Sequence, residues 1–197
     1  MKILKTMILV LLVCSCNSGV DGKIASKSSK GVLKFDESSK DYNVKIYNEK
    51  GNVLKQFVFE DEFKDSSLDP FAISPENILL VFKCLGDDEK NYHVLINESK
   101  GTVGYIPKSD RHFIFETWER HILTVATVGF DPQGNPLKKS CGASADQVAM
   151  KGIEFFHPVE VKGDCLRVKW DDPQEGTGWI KWKDSAGNLT IELYYSM

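Results

Sequence analysis

The chain has 197 residues, with 25 basic and 28 acidic side chains, a net charge of −3 and 42% hydrophobic residues. That length suits one domain or two small ones, and an acidic balance without a basic block argues against nucleic acid as a partner. Beyond the first residues no stretch reaches the about 20 apolar residues that a membrane-spanning helix needs.

Residues 1–16 read in three parts. Lys2 and Lys5 give a positive start, Met7 to Val13 form an apolar run, and Val13-Cys14-Ser15-Cys16 follows. The run has the length of an export-signal core and is too short to cross a bilayer. The last four residues resemble the bacterial lipobox: an aliphatic residue, a tolerant position, a small residue, then a cysteine that takes a diacylglycerol. Ser15 fits the narrow subsite before the cut, whereas cleavage before Cys14 would put Val13 there. The resemblance implies that Cys16 is lipidated and that two or three acyl chains anchor the mature chain stably. Loss of Lys2 and Lys5 with the leader would move the net charge from −3 to −5. No aspartate follows Cys16 directly and only Asp21 stands nearby, so the expected location is the periplasmic face of an outer membrane.

Residues 17–30 are rich in serine, glycine and charge and read as a flexible tether. Structure is expected from Val32. Val44 to Tyr47 alternate, Asn48 to Asn52 turn, and Val53 to Phe59 continue, which predicts a β-hairpin with Gly51 supplying positive φ. Glu60 to Pro75 is irregular. Ile78 to Leu85 is a continuous apolar run around Lys83 and predicts a buried strand; Tyr92 to Asn97 and Gly101 to Pro107 predict two more. Phe113 to Val128 is mixed: Glu116 to His121 suits one helical turn, and Ile122 to Val128 is β-rich. After the polar, turn-rich stretch Asp131 to Ala149, strands are expected at Phe155 to Val161, Leu166 to Trp170, Thr177 to Lys183 and Leu189 to Tyr195. Short strands with frequent turns and no long helix predict an all-β fold.

Two segments share a plan. Tyr92 to Ile96 leads through a turn into Gly104-Tyr105-Ile106-Pro107, and Cys165 to Lys169 leads through a turn into Gly178-Trp179-Ile180-Lys181. The second resembles the C-terminal half of a bacterial SH3-like (SH3b) domain, in which an alternating strand leads into Gly-Trp-Ile. Asn135-Pro136-Leu137-Lys138-Lys139 resembles the same family's Asn-x-Arg loop. Cys165 replaces the usual tryptophan, and lysine replaces the arginine. The likeness covers Ile122 to Tyr195; over Ile78 to Arg111 it is weaker. It implies two small β modules, residues 31–112 and 113–197, the second an SH3-like barrel packed around large aromatics.

The likeness also implies a binding role. Trp170, Trp179, Trp182, Tyr194 and Tyr195 crowd the end of the chain. Alternation puts Trp179 and Trp182 on opposite strand faces, so one is core and the other is free to stack on a ligand. Trp179, Trp182, Trp170 and Tyr194 are the candidate ligand residues, for cell-wall peptide or an envelope protein, with the membrane reached through the lipid. A structural subunit of an envelope complex is the first alternative. A cysteine-dependent wall hydrolase is the second, with Cys141 as nucleophile and His157 sixteen residues on; the predicted polar loop offers Cys141 no helix N-terminus to lower its pKa. No catalytic residue, metal or cofactor is expected: His93, His112, His121 and His157 are scattered, and the acidic pairs at Asp87-Asp88 and Asp171-Asp172 lack calcium-loop spacing. Cys141 and Cys165 are the nearest pair for a disulfide in an oxidising compartment. With Cys84 they make an odd set, which favours buried thiols.

Overall fold

A computed structural model describes residues 29–39, 42–171 and 174–196. The leader, Cys16 and the tether up to residue 28 lie outside the described residues. The fold is all-β. The first eight strands are β1 (Gly31–Phe35), β2 (Asn43–Tyr47), β3 (Val53–Val58), β4 (Ala72–Ser74), β5 (Leu79–Asp87), β6 (Asn91–Asn97), β7 (Thr102–Pro107) and β8 (Phe113–Thr117). They form one antiparallel sheet in the order β3-β2-β7-β6-β5-β1-β8, with β4 added beside β5. After helix α1 (Trp118–Ile122) come β9 (Thr127–Phe130), β10 (His157–Lys162), β11 (Cys165–Trp170), β12 (Gly176–Lys181) and β13 (Ile191–Tyr194). Among the described residues no helix is long and apolar enough to cross a membrane.

The β2–β3 hairpin turns through Gly51 at φ 78°, where the lack of a Cβ removes the steric penalty. Asn48 supports the same turn by accepting from the backbone N–H groups of Lys50 and Asn52 at 3.0 Å each. The run at Ile78 to Leu85 does not alternate because β5 is covered on both faces. Leu80 and Phe82 join Leu33, Phe35, Ile46, Ile96 and Ile106 in the first core. Val81 and Val32 point the other way, into a second core with Trp118, Leu166, Val168, Trp170, Ile180 and Trp182. Strands β1 and β5 are thus one wall shared by both cores.

Phe113–Thr117, which the sequence pattern places at the head of the second module, pairs along its length with β1. The helical turn begins two residues later than expected. Thr117 is still extended, and its hydroxyl accepts from the Arg120 N–H at 3.4 Å as an N-cap. Trp118, His121 and Ile122, at helical spacing, then all face inward. Ile122 to Ala126 therefore finish the helix and its turn, and strand starts only at Thr127.

The last five strands form two small sheets, which a few backbone hydrogen bonds link end to end in a ring. Strands β10, β11 and β12 are a meander, and β13 pairs with β9. The Val128 N–H donates to the Phe156 carbonyl at 2.9 Å, linking β9 to the residue before β10. Beyond β12 the chain turns at Asp184 to Asn188, and the Thr190 N–H donates to the Trp182 carbonyl at 3.0 Å, linking the residue after β12 to the residue before β13. Trp170 and Trp182 are both buried in the second core, 7% and 2% exposed.

Candidate functional site

The β11–β12 hairpin sets the site. Alternation turns Leu166, Val168 and Trp170 inward and leaves Arg167 and Lys169 outside. Across the register Arg167 opposes Trp179. On the other side of β12 the backbone of Lys138 pairs with Trp179 in both directions, at 2.9 and 2.7 Å. One outer row therefore reads Arg167–Trp179–Lys138, an indole between two cations. The Arg167 guanidinium lies 5.9 Å from the indole centroid, within cation–π range.

The loop that carries Lys138 is fastened at three points. The Asn135 amide donates to the Lys181 carbonyl at 2.7 Å, and its oxygen accepts the Lys181 N–H at 2.8 Å. Leu137 is buried against Gly178, where a Cβ would stand 2.7 Å from Leu137 Cδ1. Cys141 is disulfide-bonded to Cys165, which closes a 24-residue separation. The disulfide overturns the expectation of buried thiols for this pair: the loop returns across β11 and brings the two Cα atoms within 5.8 Å. It also takes from Cys141 the thiol that a nucleophile requires. Among the described residues Cys84 is the free cysteine; it is buried, and burial pushes its thiol pKa up.

Between this loop and the hairpin lies a groove of about 490 Å³, lined by Pro136, the disulfide, Trp179, Ile180, Lys162 and Lys181. Lys138 donates to the carbonyls of Gly142 and Ala143 at 3.2 and 2.8 Å, leaving one of its three N–H donors uncommitted. Among the described residues neither Lys162 nor Lys181 has an ion pair. The nearby carboxylates are engaged, Glu160 with Arg167 at 3.0 Å and Asp164 with Lys183 at 3.4 Å.

Of the four aromatic candidates, only Trp179 lines this groove. Trp182 is core, and its indole N–H donates to the Gly163 carbonyl at 2.9 Å. Trp170 is core too, edge-on to Phe156 at 6.0 Å. Tyr194 is exposed, but it sits elsewhere, beside Phe155 and Phe130 in a separate depression. The cations around Trp179 were not singled out from the sequence, although the alternation of Leu166-Arg167-Val168-Lys169 already put one of them, Arg167, on the outer face.

Comparison with known proteins finds no match to a family model, a curated protein or a solved structure. The chain does resemble itself. In β6–β7, Val94 opposes Gly104 and His93 opposes Tyr105; in β11–β12, Val168 opposes Gly178 and Arg167 opposes Trp179. Tyr47 stands beside Tyr105 where Lys138 stands beside Trp179. Both glycines are buried and pressed by an aliphatic side chain, Gly104 by Ile46 and Gly178 by Leu137. Close approach, rather than a bend, is what excludes a side chain there. The aromatic that follows each glycine points outward.

All four histidines are hydrogen-bonded: His93 to Asp88, His112 to Asp110, His121 to Glu116 and Tyr195, and His157 to the Ala126 carbonyl. Among the described residues no group of three His, Cys, Asp or Glu side chains is placed to hold a metal ion.

Proposed function

We propose that this chain is a lipid-anchored, non-catalytic binding module of the bacterial envelope, tethered through Cys16 at the periplasmic face of the outer membrane, with the Trp179 groove as its contact surface. One observation carries the reading. Trp118, Trp170 and Trp182 are 4%, 7% and 2% exposed, while Trp179 stays half-buried at a groove braced by a disulfide and an asparagine clamp. Indoles left partly in water over a concave, mostly apolar surface are characteristic anchors of recognition. The five-strand ring, the Asn135 clamp and the Gly178-Trp179-Ile180 strand support likeness to an SH3-type module, and cell-wall peptide or a protein partner as its ligand.

Co-sedimentation of the full-length protein with purified sacculi, together with muropeptide titration followed by tryptophan fluorescence, tests the wall reading. Binding should be lost in Trp179→Ala and kept in Tyr194→Ala. No pelleting and no fluorescence change would remove cell-wall peptide as the ligand.

A role as accessory subunit of an envelope complex has its own support. The edge strand β3 exposes Val53, Leu54 and Val58 at 53%, 39% and 45%, and an apolar edge strand is a ready contact for another chain. Photo-crosslinking from Val58 in cells should then trap one defined neighbour; recovery of uncrosslinked monomer only would end this reading.

A further inference from the structure

We infer that the Trp179 groove selects an acidic peptide, one that presents apolar side chains to the indole and carboxylates to the lysines around it. The inference rests on the reading of that groove as the binding surface and adds the chemistry of its occupant.

Charge is the first argument. The chain as a whole is acidic, with a net charge of −3, yet the groove gathers Lys138, Lys162 and Lys181, with Arg167, itself paired to Glu160, on the adjoining edge of the indole. The only carboxylate on its lining, Asp164, is already paired to Lys183. Uncommitted ammonium groups around an apolar floor raise the local concentration of anions and favour their docking.

The hydrogen-bonding inventory is the second. A neutral sugar needs carboxylates or amides near the aromatic to hold its hydroxyls. The Asn135 side chain is held on both its polar atoms by the Lys181 backbone, and Asp164 pairs with Lys183. Beside the Ser140 hydroxyl, most of what stays available on the lining is ammonium N–H, which suits carboxylate. The floor of Pro136 and the disulfide, beside the Trp179 indole, asks for an apolar side chain as well. A peptide supplies both on one strand, and a polyuronate supplies only the charge.

The chain contains its own comparison site. At the equivalent place in the first hairpin, Tyr105 is flanked by His93 and Tyr47 instead of arginine and lysine, and Asp88 and Glu49 line the hollow beside it. Scaffold and outward aromatic are the same, but the charge is opposite, so the cationic dress belongs to the second site alone.

The test uses the full-length protein in detergent and a fluorescein-labelled peptide of alternating glutamate and leucine, read by anisotropy. Binding should weaken steadily with salt, since exposed charges are screened beyond a Debye length of about 8 Å. The Lys162→Gln/Lys181→Gln double variant should bind roughly three- to tenfold less tightly, as exposed ion pairs allow. Trp179→Ala should lose at least about tenfold, as a central aromatic anchor does. Tyr105→Ala should bind as the parent does. Equal binding of the glutamine counterpart, insensitive to salt, overturns the acidic ligand while leaving the groove intact. Tighter binding of an oligogalacturonate than of the peptide overturns the choice of peptide. If no probe binds, and Trp179→Ala also leaves sacculus pelleting unchanged, the groove reading itself fails.

Discussion

The Nε2 atom of His121 lies 2.9 Å from the phenolic oxygen of Tyr195, a contact across 74 residues that ties the helix to the end of the last strand. The imidazole is completely buried, and its Nδ1 lies 2.7 Å from the Glu116 carboxylate. An ionised carboxylate only accepts, so Nδ1 carries the proton, and Nε2 accepts from the Tyr195 hydroxyl. Burial holds the His121 pKa below its ordinary 6.5, against the pull of Glu116. Burial also raises that of Tyr195. The trio is a structural tie between the shared sheet and the C-terminal ring.

Removing the hydroxyl in Tyr195→Phe leaves the buried Nε2 without a donor. The expected cost is about 1–3 kcal/mol, the penalty of an unsatisfied buried polar group, read from urea melts at neutral pH. A loss below a few tenths would mean that water or relaxation replaces the bond.

Stability should also follow pH through His121. Its pKa is depressed in the folded state, so between that value and 6.5 the unfolded chain binds the extra proton. Unfolding free energy is therefore expected to fall as pH drops below about 6.5, and to be insensitive to this group above it. A melt series across that window should show the slope, and His121→Gln should flatten it; an unchanged slope in the variant would assign it to other groups.

The Cys141–Cys165 bond closes its loop around the groove. By chain entropy such a loop contributes about 3 kcal/mol. Dithiothreitol, or the Cys141→Ser/Cys165→Ser double variant, should lower the denaturant midpoint accordingly. Non-reducing peptide mapping should recover the two cysteines in one linked fragment; their recovery as separate thiols would refute the bridge.

The four tryptophans should separate in solution. Iodide is an anion, and the cations beside Trp179 concentrate it, so one emitting component should quench more with iodide than with caesium. Trp179→Phe should abolish that component at a stability cost below about 1 kcal/mol, whereas Trp182→Ala should cost about 3–5 kcal/mol. Equal iodide access to several indoles would contradict the burial of Trp170 and Trp182.

Gly178→Ala would set a Cβ 2.7 Å from Leu137 Cδ1 and 3.2 Å from the Lys138 carbonyl. Overpacking of this kind costs about 1–3 kcal/mol. Thermal melts should show part of that loss recovered when Leu137→Val is added, because the crowding lies mainly with the leucine side chain.

Much of the strand order along the chain was legible, because alternation and turn chemistry act over a few residues. Val44 to Tyr47, Tyr92 to Asn97 and Leu166 to Trp170 were read close to their observed bounds. The start of the helix was not, because Thr117 serves both as the last residue of β8 and as an N-cap. Of the groove, the sequence offered Trp179 as one of a favoured pair with Trp182 and Asn135 as part of a loop motif. It could not say which of the pair faces out, and it weighed against the disulfide on an odd cysteine count.

Local pattern by itself determined that this chain is built of strands, that its repeated hairpins carry a glycine followed by an aromatic, and that Trp179 and Trp182 face opposite ways. Only the tertiary structure decided which of those ways is inside. A period of two separates the faces of a strand but is blind to what covers each one. Coverage here comes from distant chain: the loop returning from Asn135 to Cys141, the bridge to Cys165, and the β1–β5 wall shared with the first core.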